Sequence, residues 1–370
     1  MKKVVVMIML LSVVFSAGAQ QRKKVGVVLS GGGAKGVAHI GALKVIEEAG
    51  IPIDFVVGTS MGSIVGGLYS IGYTPHQLDS MVRTQDWTFL LTDRMDRKQK
   101  TFLERTESEK YVLSVPFRKK KPTRIPDGFV RGANLNNLFT DLTIGYHDSI
   151  DFNRLPIPFA CVALDLMAGE EVVFQSGSLM EAMRASMAIP AVFTPVRKDS
   201  LVLVDGGLLN NFPVDVARAM GAEVVIGVDV QADSEESGKL VSLFDMVNKL
   251  TDMTGKDKYG KNLEDTDVYI KVNVNGYSAA SFDAASLDTL TRRGEEAARS
   301  AWSELLDSKR KIGISQQFVP QEHGPYMLAS DENQVMIRRI SFNGVTQSDR
   351  KKLMEKAKLF ENKYATMASL

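Results

Sequence analysis

The sequence predicts an α/β fold of three layers, with helices on both faces of a mostly parallel sheet. Short apolar and β-branched runs recur at Val25–Leu29, Ile53–Val57, Phe159–Leu164, Leu201–Val204, Glu223–Val230 and Asp267–Val274, each of a length and composition that suit a buried strand. They alternate with stretches whose apolar residues fall at helical spacing, the pattern of strand-helix units. The first two runs also end in glycine-rich turns, Gly31-Gly32-Gly33-Ala34-Lys35-Gly36 and Gly58-Thr59-Ser60-Met61-Gly62, and each turn passes directly into a helical pattern.

Taken in order, the chain opens on Lys2 and Lys3, an apolar run Val4–Phe15 and the triplet Ala17-Gly18-Ala19. This reads as a secretory signal over residues 1–19, with a basic region, an apolar core and an A-x-A cleavage site. The core is shorter than the roughly 20 residues of a spanning helix, and an uncleaved N-terminal anchor is the alternative. Export leads to the periplasm or the outer membrane, or out of the cell. The 370 residues allow two domains, and 45 basic against 44 acidic side chains give no reason to expect a nucleic-acid partner. Cys161 is the single cysteine, so no internal disulfide forms. Within a strand-like run it reads as a small core residue.

The first glycine turn satisfies G-x-G-x-x-G through Gly31, Gly33 and Gly36, so a dinucleotide site has to be weighed. That site wants an acidic residue at the end of the second strand. Asp54 instead lies near that strand's start. No Gly-Lys-Ser/Thr is present for a Walker A loop. Three consecutive glycines also leave backbone N–H groups that a ligand can approach closely, as an oxyanion hole requires. The second turn fits the G-x-S-x-G elbow, in which glycines two residues before and after a strained serine remove side chains that would collide. A glycine- and serine-rich turn can match this pattern by chance, so its weight comes from context.

Tyr73–Arg131 reads as a long polar insertion containing Arg94, Arg97, Lys98, Lys100 and the run Arg118–Lys121, interleaved with Trp87, Phe89, Leu90, Leu91, Phe102, Phe117 and Phe129. It is either a solvated loop with packing anchors or a cap over Ser60 whose basic residues meet anionic lipid head groups. Pro156–Phe174 gives two strand-like runs around a turn at Met167–Glu170. Leu179–Ser186 reads as a helix that Pro190 stops. Leu201–Val204 delivers Asp205 into Gly206-Gly207. That aspartate is either an ordinary Asp-Gly turn or a carboxylate projected towards a neighbouring strand end.

Four blocks, SGGGAKG at 30–36, GTSMG at 58–62, ASMAIPAVFTPV at 185–196 and DGG at 205–207, resemble the patatin-like phospholipases in order and spacing. The resemblance covers about residues 24–310. It implies a three-layer α/β/α patatin-like hydrolase with a Ser60–Asp205 catalytic dyad, an oxyanion hole at Gly31, Gly32 and Gly33, a lipid or phospholipid substrate, and no cofactor. Asp165 then reads as structural. Histidine is an independent check. Beyond the leader there are only His39, His76, His147 and His323, and of these only His323 follows Asp205, as the order of a Ser-His-Asp hydrolase triad requires, and it sits in a linker-like segment. The scattered histidines and lone cysteine give no metal-site spacing.

Gly294–Leu306 reads as the helix that ends the core, residues 311–333 as a linker, Val335–Phe342 as a strand and Ser348–Leu359 as a charged helix. This tail resembles the opening of a polypeptide-transport-associated (POTRA) domain. The expected division is a leader (1–19), a hydrolase domain (20–310), a linker (311–333) and a partial strand-helix segment (334–370). The function expected is acyl-ester hydrolysis of lipids, of phospholipase A, lysophospholipase or esterase type. The rivals are a dinucleotide-binding enzyme and an inactive interaction scaffold of the cell envelope.

Overall fold

The computed structural model describes residues 22–93, 128–232, 255–314, 334–337, 340, 350, 354 and 363–366. The leader, most of the basic insertion, residues 233–254, most of the linker and His323 lie outside the described residues. The strands are β1 (Val25–Leu29), β2 (Phe55–Thr59), β3 (Gly128–Val130), β4 (Ile150–Asp151), β5 (Phe159–Asp165), β6 (Glu170–Phe174), β7 (Ser176–Gly177), β8 (Ala191–Phe193), β9 (Val196–Lys198), β10 (Leu201–Asp205), β11 (Val224–Asp229) and β12 (Val268–Lys271). Among the described residues, eight of these form one sheet, with the path β12-β11-β1-β2-β5-β10-β9 and β6 paired to β5. The pairs among β12, β11, β1, β2 and β5 are parallel. The additions β10, β9 and β6 are antiparallel.

Side chains alternate across this sheet as strand geometry requires. Val25, Val27 and Leu29 of β1 join one buried cluster with Val56, Phe159, Cys161, Ile226 and Val228. Val28 joins the opposite cluster with Val57, Ala160, Val162 and Val225. Helices Ala38–Glu48, Met61–Ser70, Leu179–Ser186 and Ala284–Ser300 supply buried residues to the first face, and helix Val214–Ala219 with Phe212 supplies the second. Both faces of the parallel strands are covered, which is why those strands read as continuous apolar runs rather than as alternating ones.

Two elements differ from the sequence expectation. The stretch read as insertion from Tyr73 begins with an ordered helix, Pro75–Thr84, closed at its N-terminus by a capping box between Thr74 and Gln77, with Leu78 buried. Trp87 then stacks on Phe282 at 4.8 Å and Leu90 is buried, so these two residues, with the partly buried Phe89 and Leu91, act as packing anchors. The stretch read as one helix over Gly294–Leu306 is divided between helix Trp302–Lys311 and a helix that starts at Ala284, capped by Asp283. Gly294 lies inside it because a Cβ there would run into the carbonyl oxygen of Ala38. That glycine marks a close crossing of two helices.

The chain divides into two compact units, 1–324 and 325–370. In the second, strands β13 (Gln334–Ile337) and β14 (Lys363–Thr366) pair antiparallel. Residues 350 and 354 between them are helical.

Candidate active site

The parallel strands end along one edge of the sheet, and β5 extends beyond its neighbours there. One edge of β5 is occupied over Cys161–Asp165 by β6. The other edge receives two strands in succession: β2 runs parallel to it until Thr59 pairs with Val162, and β10 runs antiparallel to it until Asp205 pairs with Ala163. The C-terminal ends of β2 and β10 therefore meet head to head at Val162–Ala163. Ser60 is the residue after one end and Asp205 is the last residue of the other. Ser60 Oγ donates a hydrogen bond of 2.6 Å to Asp205 Oδ2. Both residues are buried, at 5% and 6% exposure.

The elbow at Ser60 has φ 53° and ψ −123°, a region that non-glycine residues enter at a cost of about 1–3 kcal/mol. The glycines explain how it is tolerated. A Cβ at Gly58 would collide with the Gly62 backbone, and one at Gly62 with the carbonyl oxygen of Leu29. Ser60 O accepts from Ser63 N at 2.9 Å and from Ser63 Oγ. Ser60 N–H donates to Ser186 Oγ at 2.9 Å. Asp205 is held in turn: its Oδ1 accepts from Gly207 N at 2.8 Å, and its own N–H donates to Ala188 O at 3.0 Å. A Cβ at Gly206 would run into Val162 O.

Burial pushes the Asp205 carboxyl up from 3.8 to about 6, opposed by the hydrogen bonds from Ser60 and Gly207. That value suits a group that accepts a proton near neutral pH. His39 offers no rival base. It is buried on helix Ala38–Glu48, its Nε2 lies 2.7 Å from Ser30 O, and burial lowers its pKa to about 4. Nδ1 of His39 has no hydrogen-bond partner among the described residues.

The glycine loop follows β1, beside the elbow. Gly31 N–H donates to Asn211 O at 3.1 Å, so this amide is already engaged and Gly31 serves instead as a point of close approach. A Cβ there would reach Ser60 Cβ at 3.0 Å. The N–H groups of Gly32 and Gly33, and that of Met61 at the start of the helix after Ser60, have no acceptor among the described residues. Gly33 has φ 57°, and a Cβ on Gly32 would lie 2.7 Å from the Val230 side chain. The segment after Asp205 ties the pieces together: Thr59 Oγ1 donates to Asn210 O at 2.8 Å, while Asn211 O holds the glycine loop.

Ser60, Asp205 and the glycine loop thus lie together at one edge of the sheet, with the Gly31 amide, expected in the oxyanion hole, engaged by Asn211 O instead. Ser186, Asn211 and the Met61 amide are additions that sequence reasoning missed, although Ser186 lies in the ASMAIPAVFTPV block and Asn211 four residues past DGG. Asp165 sits outside the dyad, its Oδ1 accepting from Met167 N and Val202 N at 3.1 Å each. Cys161 is buried, and burial raises its thiol pKa far above the usual range. Asp54, the acidic residue weighed against the dinucleotide pattern, is engaged by Arg22 at 2.6 and 2.7 Å and by Val25 N at 2.7 Å. It stands at the opposite end of β2 from the glycine turns.

The family described as patatin-like phospholipase matches residues 27–218. Patatin-like phospholipase domain-containing protein 6 of Homo sapiens is 34% identical over 213 residues, 57% of this chain and 14% of that protein. An uncharacterized NTE family protein of Mycobacterium bovis is 33% identical over 207 residues, 56% of this chain and 49% of that protein. The match therefore spans less than half the length of either relative. Among solved structures, VipD from Legionella pneumophila superposes with a TM-score of 0.42 at 15% identity, covering 80% of this chain and 73% of that one. Full-length ExoU from Pseudomonas aeruginosa gives 0.39 at 14% identity, covering 79% and 53%.

Proposed function

The chain belongs to the patatin-like phospholipase family, and from that premise we propose that it is a serine lipid acyl hydrolase working through a Ser60–Asp205 dyad. The observation that carries this reading is the 2.6 Å bond from Ser60 Oγ to Asp205 Oδ2, made where two strand ends abut beside open backbone N–H groups. Asp205 Oδ2 accepts the Ser60 proton as Oγ attacks the ester carbonyl. The N–H groups of Gly32 and Gly33 receive the tetrahedral oxyanion, and removal of one such donor typically costs about 10² to 10³ in rate. The proton then passes from Asp205 to the leaving alcohol as the C–O bond breaks, leaving acyl-Ser60. Water attacks the acyl group, Asp205 takes a proton from it, and the fatty acid leaves as Ser60 Oγ is reprotonated.

A lipid surface as the source of substrate is supported by the tip of the β5–β6 hairpin. Leu166 and Met167 are 52% and 75% exposed, and they project past the sheet edge that carries Ser60. Exposed apolar residues at such a rim suit contact with lipid. The leader at residues 1–19 supports export to the periplasm or outer membrane, and the basic residues 94–121 support contact with anionic head groups. Phospholipase A, lysophospholipase and esterase activities share this chemistry. The test is mass spectrometry of products released from mixed phospholipid vesicles. The wild-type protein is expected to release fatty acid, and Ser60→Ala is expected to release none. Equal release by the two proteins would overturn the reading.

A further inference from the structure

We infer that the turn Ser186–Ala188, at the end of helix Leu179–Ser186, is the template that sets the spacing of the dyad, with Ser186 as a positioning residue for the nucleophile. This rests on the reading of Ser60 and Asp205 as nucleophile and base. The turn binds the backbone amide of each member. Ser60 N–H donates to Ser186 Oγ at 2.9 Å, and two residues later Ala188 O accepts from Asp205 N at 3.0 Å.

The hydroxyl of Ser186 has no choice of direction. Its single proton is donated to Val162 O at 2.7 Å, since a carbonyl can only accept. A lone pair therefore faces the Ser60 amide, which can only donate. Ser186 is fully buried, so no water substitutes for either contact without repacking. Val162 is also the residue opposite Thr59 in the β2–β5 register. One hydroxyl thereby links the strand that carries the elbow, the strand against which both dyad ends abut, and the segment that holds Asp205.

Two consequences follow. The φ of 53° at Ser60 is supported by a bond to its own amide, so loss of that bond frees the residue to relax and withdraw Oγ from Asp205. The Ser60 amide is also spent on Ser186, which leaves oxyanion binding to Gly32, Gly33 and Met61 rather than to the nucleophile's own N–H.

The test compares Ser186→Ala with Thr143→Ala. Thr143 is likewise buried, and its Oγ1 donates to Phe139 O at 2.7 Å, remote in sequence from the dyad segments. It controls for the loss of a buried hydroxyl as such. With a soluble short-chain ester, Ser186→Ala is expected to lower kcat by about 10- to 100-fold, as a small misplacement of reacting groups does. KM should stay near the wild-type value, and fluorophosphonate labelling of Ser60 should slow in parallel. Thr143→Ala should keep the wild-type kcat. Should Ser186→Ala fail to fold, Ser186→Cys, similar in size and weaker as donor and acceptor, carries the same comparison. Wild-type kcat and labelling rate in the folded variant overturn the inference, as does a loss confined to KM. Activity retained in Ser60→Ala would instead overturn the assignment of the nucleophile.

Discussion

At the residue scale, Asp205 is a carboxylate kept where its charge is costly. Burial raises its pKa from 3.8 to about 6, so the protonated form is favoured in the folded protein. This contribution to stability is fully present below the ordinary value and is lost as the pH rises through about 6. Asp205→Asn keeps the shape without the charge and is expected to abolish most turnover. It should also raise stability at pH 8 by on the order of 1–3 kcal/mol, a gap that narrows towards pH 4. Thermal melts of both proteins across that range check the sign, and a gap independent of pH would contradict it. Ser60 was legible in the sequence because it stands between Gly58 and Gly62, and Asp205 because it runs directly into Gly206-Gly207, glycines that steric demands select. Ser186 was not. A serine at a helix end gives no local signal, and its role comes from Val162 and Ser60, which lie 24 and 126 residues away.

At the scale of elements, the site is the meeting of a parallel strand with an antiparallel one along β5. The apolar runs predicted the strands, but nothing in them tells the direction of β10, which is set by its pairing with Val196–Lys198 and Ala163–Asp165. The helix Pro75–Thr84 was hidden by the polarity of its stretch, although Thr74, Pro75 and Gln77 form a recognisable start signal. The elbow glycines give a sharper test. A Cβ at Gly62 meets the carbonyl of Leu29, backbone in the central strand, which cannot yield as a side-chain end can. Gly62→Ala is therefore expected to destabilise the protein by about 1–3 kcal/mol or more and to displace Ser60, read as a lowered melting midpoint with lost fluorophosphonate labelling. A melt unchanged from wild type would show that the β1–elbow contact is looser than described.

At the scale of the whole molecule, residues that make up the site come from segments between 30 and 211, within the first of two compact units. The second unit, 325–370, contains the β13–β14 pair, a pairing that reading the tail as one strand and one helix did not anticipate because its second strand lies beyond the helical stretch. A protein cut near Gln321 is expected to keep its turnover on a soluble ester. Collapse of turnover in a folded cut protein would place a needed residue in the tail. The molecule is proposed to perform serine hydrolysis with an aspartate and no histidine as base. The most direct test is the pH dependence of the rate at which a fluorophosphonate modifies Ser60, with the adduct located by mass spectrometry. A single rise centred near pH 6 is expected, the value at which burial leaves Asp205, abolished by Asp205→Asn and retained in His39→Gln. An adduct on another serine, or a rise that survives Asp205→Asn and vanishes in His39→Gln, would contradict it.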